Sequence, residues 1–191
     1  MSALDAEPES GWDAIVRVWE ETDAPEGGKV EIIEGVVTVS PPQSEEHNDA
    51  VELLHQRLYA VVPEGCGIYQ TLGLTVPETG GIFMPDLCVV PRAALRRGQR
   101  VHASEAELVV EVTSPSNANH DRIKKVHGYA RAGVPLCLLL DPWHSGRPTA
   151  TLYGVPESGT YRVLDSVEYG EKISLPAPFD LDLDTGILPV P

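Results

Sequence analysis

The chain has 191 residues, 42% of them hydrophobic and 23% charged, and a formal net charge of −15 at pH 7. This describes one soluble globular domain with a real core, long enough to need no disulfides. No apolar run approaches a membrane span, and the acidic start MSALDAEPESGWD is unlike a signal peptide, so no membrane role and a cytoplasmic location are expected.

Residues 12–20, WDAIVRVWE, read as a short amphipathic helix that the turn formers of TDAPEGG end. KVEIIEGVVTVSPP reads as two strands around a Glu34-Gly35 hairpin turn. Ser44 is placed to cap a helix in which Val51, Leu54, Leu58 and Val61 recur at helical spacing. GIYQTLGLTV and GIFMPDLCVV are strand-like, separated by a PETGG turn, and PRAALRRGQR follows as a loop or short helix. AELVVEVTS is the next strand. NANHDRIKKVHGYARAG predicts a helix ending at Gly133, and VPLCLLLDP reads as a strand covered on both faces. TATLYGV, TYRVLDSVEYG and EKISL are short strands. Strand, helix and strand over 107–140 predict a crossover within an α/β or α+β sheet.

Cys66, Cys88 and Cys137 are scattered singly, without zinc spacing, and Cys88 and Cys137 lie in apolar runs as small hydrophobes. An acidic chain repels nucleic acid at long range, so a DNA-binding role needs a local basic patch. Two segments offer one: Arg92, Arg96, Arg97 and Arg100 in the first, and Arg122, Lys124 and Lys125 in the second. For each cation alone, a solvated surface charge is the simpler account.

Glu111 lies among valines in ELVVEVTSPSN, and a buried carboxylate is costly unless paired, protonated or bound to a cation. Strand alternation groups Val109, Glu111 and Thr113 on one side, and Met84, Asp86 and Cys88 together on one side of their own strand. If these strands are neighbours, Asp86 and Glu111 project onto one face. Facing carboxylates repel unless a cation or shared proton intervenes, and hard divalent ions suit such oxygen ligands. Taken singly, Asp86 could cap a turn and Glu111 could pair with an arginine. The cationic helix that follows favours a site: Asp121, Lys124, Lys125, Gly128 and Tyr129 lie at helical spacing, Lys125 and Tyr129 four apart on one face. Glu111 is expected at a strand edge, facing a cation.

In the order VEIIEG, SPP with His47, MPDLCVV, LVVEVTSPSN, DRIKKVHGYARAGVP and LLLDP, the chain resembles the Uma-two family of restriction-endonuclease-like proteins, a branch of the PD-(D/E)XK nuclease superfamily. The resemblance implies a restriction-endonuclease-like α/β (α+β) fold, a mixed sheet flanked by helices with extra β-hairpins. It spans residues 27–191, with residues 1–26 as a helical extension. It implies a Mg²⁺ (or Mn²⁺) site at Asp86 and Glu111, catalysis by Asp86, Glu111, Lys125 and Glu31, and DNA as partner. The superfamily's lysine two residues after the acid is replaced by Thr113; Lys125 in the helix matches that role, with Lys124 as fallback. Glu31 matches the additional acid better than Glu34, and His47 could add a hydrogen bond. A homodimer follows by analogy, because cutting both strands needs two sites. The competing reading is a non-catalytic interaction or regulatory module on a nuclease fold.

Overall fold

A computed structural model of the chain describes residues 11–115 and 120–190, leaving out the side chains of residues 120 and 121, Asp121 among them. Helix α1, Gly11–Glu21, is anchored through Trp19, whose indole Nε1 donates to the carbonyl of Val30 at 2.7 Å. That carbonyl belongs to β1, Lys29–Ile33, which pairs antiparallel with β2, Val36–Ser40. Glu34 and Gly35 both have positive φ, 51° and 76°, the pair of left-handed residues a two-residue hairpin turn requires. Ser44 caps α2, Glu45–Tyr59, its Oγ accepting from the His47 N–H at 3.3 Å. Leu54 and Leu58 are fully buried on one face of this helix, each contributing about 1.5–3 kcal/mol through burial.

Two stretches expected as single strands are each divided. GIYQTLGLTV becomes β3, Cys66–Tyr69, and β4, Leu74–Val76, with Thr71 at φ 52° between them. GIFMPDLCVV becomes β5, Gly81–Phe83, and β6, Leu87–Pro91. Pro85 has no N–H to continue a ladder, so the chain leaves one sheet and enters the other across Met84-Pro85-Asp86. A single 3₁₀ turn, Arg92–Ala94, opens the basic segment, and the two-residue β7, Val101–His102, precedes β8, Leu108–Val112. The segment expected as one helix begins with a π-helical turn, His120–Lys125, and continues as α3, Val126–Ala132, ending at Gly133 with φ 79° as predicted. Its first residues, 117–119, lie outside the described residues. Then follow β9, Leu136–Asp141, β10, Thr149–Glu157, β11, Thr160–Glu168, β12, Lys172–Leu175, and β13, Leu181–Asp184.

A six-stranded sheet runs β11-β10-β9-β8-β6-β3, a five-stranded sheet β2-β1-β5-β4-β7, and β12 pairs with β13. β8 and β9 are parallel and joined through the helical segment, the crossover the sequence predicts. Leu87, Val89, Leu108, Val110 and Leu138 form one core with α2 and the β12–β13 ribbon. On the opposite face, Cys88, Val90, Val109 and Cys137 pack against Phe83 and Leu74 of the five-stranded sheet and Tyr129 of α3. This is the mixed α and β architecture expected, with the site at the seam between the sheets. Glu111 is not at a sheet edge: β8 lies between β6 and β9, and Glu111 is in register with Leu139. All three cysteines are buried free thiols. Among the described residues, no helix is long and apolar enough to cross a membrane.

Candidate active site

Residues two apart on a strand share a face, so β1 projects Lys29 and Glu31 together. Glu31 Oε1 accepts from the backbone N–H of Met84 at 2.6 Å, which pins the kink carrying Asp86. Asp86 is tied to β8 twice. Its backbone N–H donates to the Val110 carbonyl at 3.1 Å, and its Oδ2 accepts from the Val112 N–H at 2.8 Å. The other oxygen, Oδ1, accepts from Lys29 Nζ at 2.5 Å and lies 3.1 Å from His47 Nε2 at the start of α2. Lys29 Nζ also donates to the Met84 carbonyl at 3.0 Å.

Glu111 reaches the same region from β8. Tyr129 donates its hydroxyl to Glu111 Oε1 at 2.6 Å, and Lys125 Nζ lies 3.3 Å from Oε2. The same ammonium is 2.8 Å from Glu31 Oε1, so Lys125 bridges two acids that are 2% and 1% exposed. The one-turn offset between Lys125 and Tyr129 brings both onto one carboxylate. The charged groups line a cleft of ≈ 10 Å³, about the room of one water.

Burial alone would push the Asp86 carboxyl up, but the Lys29 ammonium and the His47 hydrogen bond outweigh it and hold the group well below the usual carboxylate range. Burial opposes the charge on Lys29 as well, yet Asp86 and Glu111 together raise its pKa. Burial first, and then the neighbouring Glu111 charge, keep the Tyr129 phenol protonated as a donor. Three buried carboxylates, Glu31, Asp86 and Glu111, face two buried ammonium groups, Lys29 and Lys125. Among the described residues, no group of three or more His, Cys, Asp and Glu side chains is arranged to hold a metal. Magnesium needs only one or two carboxylates and keeps its own waters. The all-oxygen donors of Asp86 and Glu111 and the excess of carboxylates over ammonium groups suit a hard divalent ion.

Asp86, Glu111, Lys125 and Glu31 are thus brought together. The two lysines of the helical segment separate: Lys125 enters the site, while Lys124 pairs with Glu34 of the hairpin turn at 3.0 Å. Thr113, two residues after Glu111, donates its hydroxyl to Asp141 Oδ1 at 2.7 Å. Asp141 is also held by Arg122 through Nε at 2.6 Å and Nη2 at 2.7 Å. Lys29 was not identified from the sequence. Counting back two residues from Glu31 would have placed it on the same face, but only the tertiary fold shows that it meets Asp86, 57 positions away. His47 carries more than a helix start requires: its Nε2 faces Asp86, and its buried Nδ1 has no hydrogen-bond partner among the described residues.

The fold is similar to the crystal structure of a "putative nuclease belonging to DUF820" from Anabaena variabilis, with a TM-score of 0.66 and 20% identity, covering 88% of this chain and 93% of that one. At that identity the likeness speaks for the fold alone. No curated protein matches the chain. The model of the family Uma2, described as "Putative restriction endonuclease", matches residues 17–190, and the chain belongs to that family.

Proposed function

We propose that the chain is a divalent-metal-dependent nuclease hydrolysing phosphodiester bonds in DNA, with Asp86, Glu111, Lys125 and Glu31 as its catalytic groups. The observation that carries this reading is the meeting of three buried carboxylates and two ammonium groups, from separate segments, at a cleft the size of one water. Membership in a restriction-endonuclease family supports the reaction class. Asp86 and Glu111 would hold Mg²⁺ or Mn²⁺, which supplies charge neutralisation at the phosphoryl group and acidifies bound water. The chain's own groups do the rest. Glu31 and Glu111 fix the Lys125 ammonium between them, where it orients an attacking water and meets negative charge building on the phosphate. Tyr129 holds the Glu111 carboxylate in orientation, and Glu31 holds the backbone beside Asp86. Lys29 balances the Asp86 charge, and His47 adds a hydrogen bond to it. Cutting both strands of a duplex would take two such sites, hence a homodimer.

The competing reading, a non-catalytic module, draws on the same pairs, since each carboxylate already faces an ammonium group. A nuclease assay on DNA with and without divalent ions, comparing wild type with Asp86→Ala, separates the two. Ion-dependent cleavage lost in Asp86→Ala, with the fold retained by circular dichroism, is expected. Cleavage that survives Asp86→Ala assigns the activity elsewhere. A wild type inert with every ion, and an Asp86→Ala variant altered only in folding, supports the module.

A further inference from the structure

The two basic segments of this acidic chain meet different fates. In DRIKK the cations are paired internally: Arg122 with Asp141, Lys124 with Glu34, and Lys125 with Glu31 and Glu111. In PRAALRRGQR, Arg100 lies over the Trp19 ring at 5.3 Å from its centroid and pairs with Glu20. Arg96 and Arg97 are exposed and make no ion pair among the described residues. With Trp19, Leu72 and Gly73, these three arginines line a hollow of ≈ 430 Å³.

The hollow is close to the candidate active site. Gln70 and Thr71 line a groove together with Lys29, His47 and Asp86, and the next two residues, Leu72 and Gly73, line the arginine hollow. Three residue steps, from Gln70 to Gly73, span at most about 11 Å. One DNA strand advances about 3.4 Å per phosphate. Gly73, on the wall of the arginine hollow, therefore lies within about three nucleotide steps of Gln70, on the wall of the groove that reaches Asp86.

We propose that Arg96, Arg97 and Arg100 form a phosphate-binding track for the DNA strand leaving the site, an assignment that rests on the nuclease reading above. A guanidinium presents a planar fork of donors that matches phosphate oxygens two at a time. Trp19 and Glu20 hold Arg100 in place, while Arg96 and Arg97 supply charge that no carboxylate among the described residues pairs with. Such a local patch is what a chain of net charge −15 needs to hold a polyanion.

The test is binding of a short fluorescein-labelled DNA duplex to the full chain in EDTA, read by anisotropy across a salt series. Each phosphate contact contributes about 0.9 to the slope of log affinity against log salt. Arg96→Ala/Arg97→Ala is expected to weaken binding at least about tenfold and to lower the slope by about 1–2. Arg96→Lys/Arg97→Lys keeps most of the slope, and both variants keep the wild-type melting temperature. An Ala variant with wild-type affinity and slope overturns the track. A wild type that cuts DNA with divalent ions yet shows no salt-dependent binding overturns it too, leaving the nuclease reading intact. Neither binding nor cutting removes both.

Discussion

Replacing Lys125 by methionine removes the ammonium group 2.8 Å from Glu31 and 3.3 Å from Glu111 while keeping most of the aliphatic stem. At an effective dielectric of about 20, unit charges at these separations attract by about 6 and about 5 kcal/mol. Desolvation of the three ions returns much of that, so the pairs stabilise far less than their Coulomb sum. Removing one partner is another matter, because two carboxylates remain buried without it. Such a break costs about 3–5 kcal/mol. In a chain of this size each kcal/mol lowers the melting temperature by about 2–4 °C, so a fall of about 6–20 °C is expected. Urea unfolding followed by circular dichroism reads the loss near neutral pH and again in mild acid. The loss should shrink in acid, where a glutamate can take up a proton in place of the missing cation, and on adding millimolar Mn²⁺. A destabilisation below about 1 kcal/mol, the range of an exposed ion pair, and unchanged by acid or ion, would refute the reasoning.

Three further outcomes follow from the same geometry. Tyr129→Phe keeps the edge-to-face packing on Phe83 but removes the donor to Glu111. It should cost about 1.5–3 kcal/mol in urea unfolding, and a neutral effect would mean the bond contributes nothing. Asp86, held below its unfolded value of about 3.9, contributes stability that is present above that value and lost as pH falls toward its folded one. Wild type should therefore lose stability more steeply than Asp86→Asn in this acid range, and parallel urea midpoints against pH would contradict it. At Gly128, an added Cβ would lie 2.4 Å from Phe83 Cε2. Gly128→Ala should cost about 1–3 kcal/mol by overpacking, with the Phe83→Leu/Gly128→Ala double variant recovering part of it in thermal unfolding.

Much of the site could be read from periodicity. Alternation along ELVVEVT and FMPDLCVV put Glu111 and Asp86 on matching faces, and the register of Cys88 with Val109 realises that arrangement. One helical turn related Lys125 to Tyr129, and Glu34-Gly35 and Gly133 marked their turns through the backbone conformations they tolerate. What escaped was long-range. Pro85 interrupts an apolar run that looks continuous, so a single expected strand crosses between two sheets. The Lys29–Asp86 pair joins residues whose proximity depends on that crossing. Glu111 tolerates a central strand because Lys125 and Tyr129 satisfy it from the helical segment, an arrangement no local pattern encodes.

In the proposed nuclease, Asp86 and Glu111 act together on one divalent ion. Isothermal titration of Mn²⁺ into wild type, Asp86→Asn and Glu111→Gln tests this directly. Binding in the millimolar range or tighter by the wild type, and its loss in both variants with the fold retained, is predicted. Absence of binding by the wild type at millimolar ion, or equal binding by all three proteins, would contradict it.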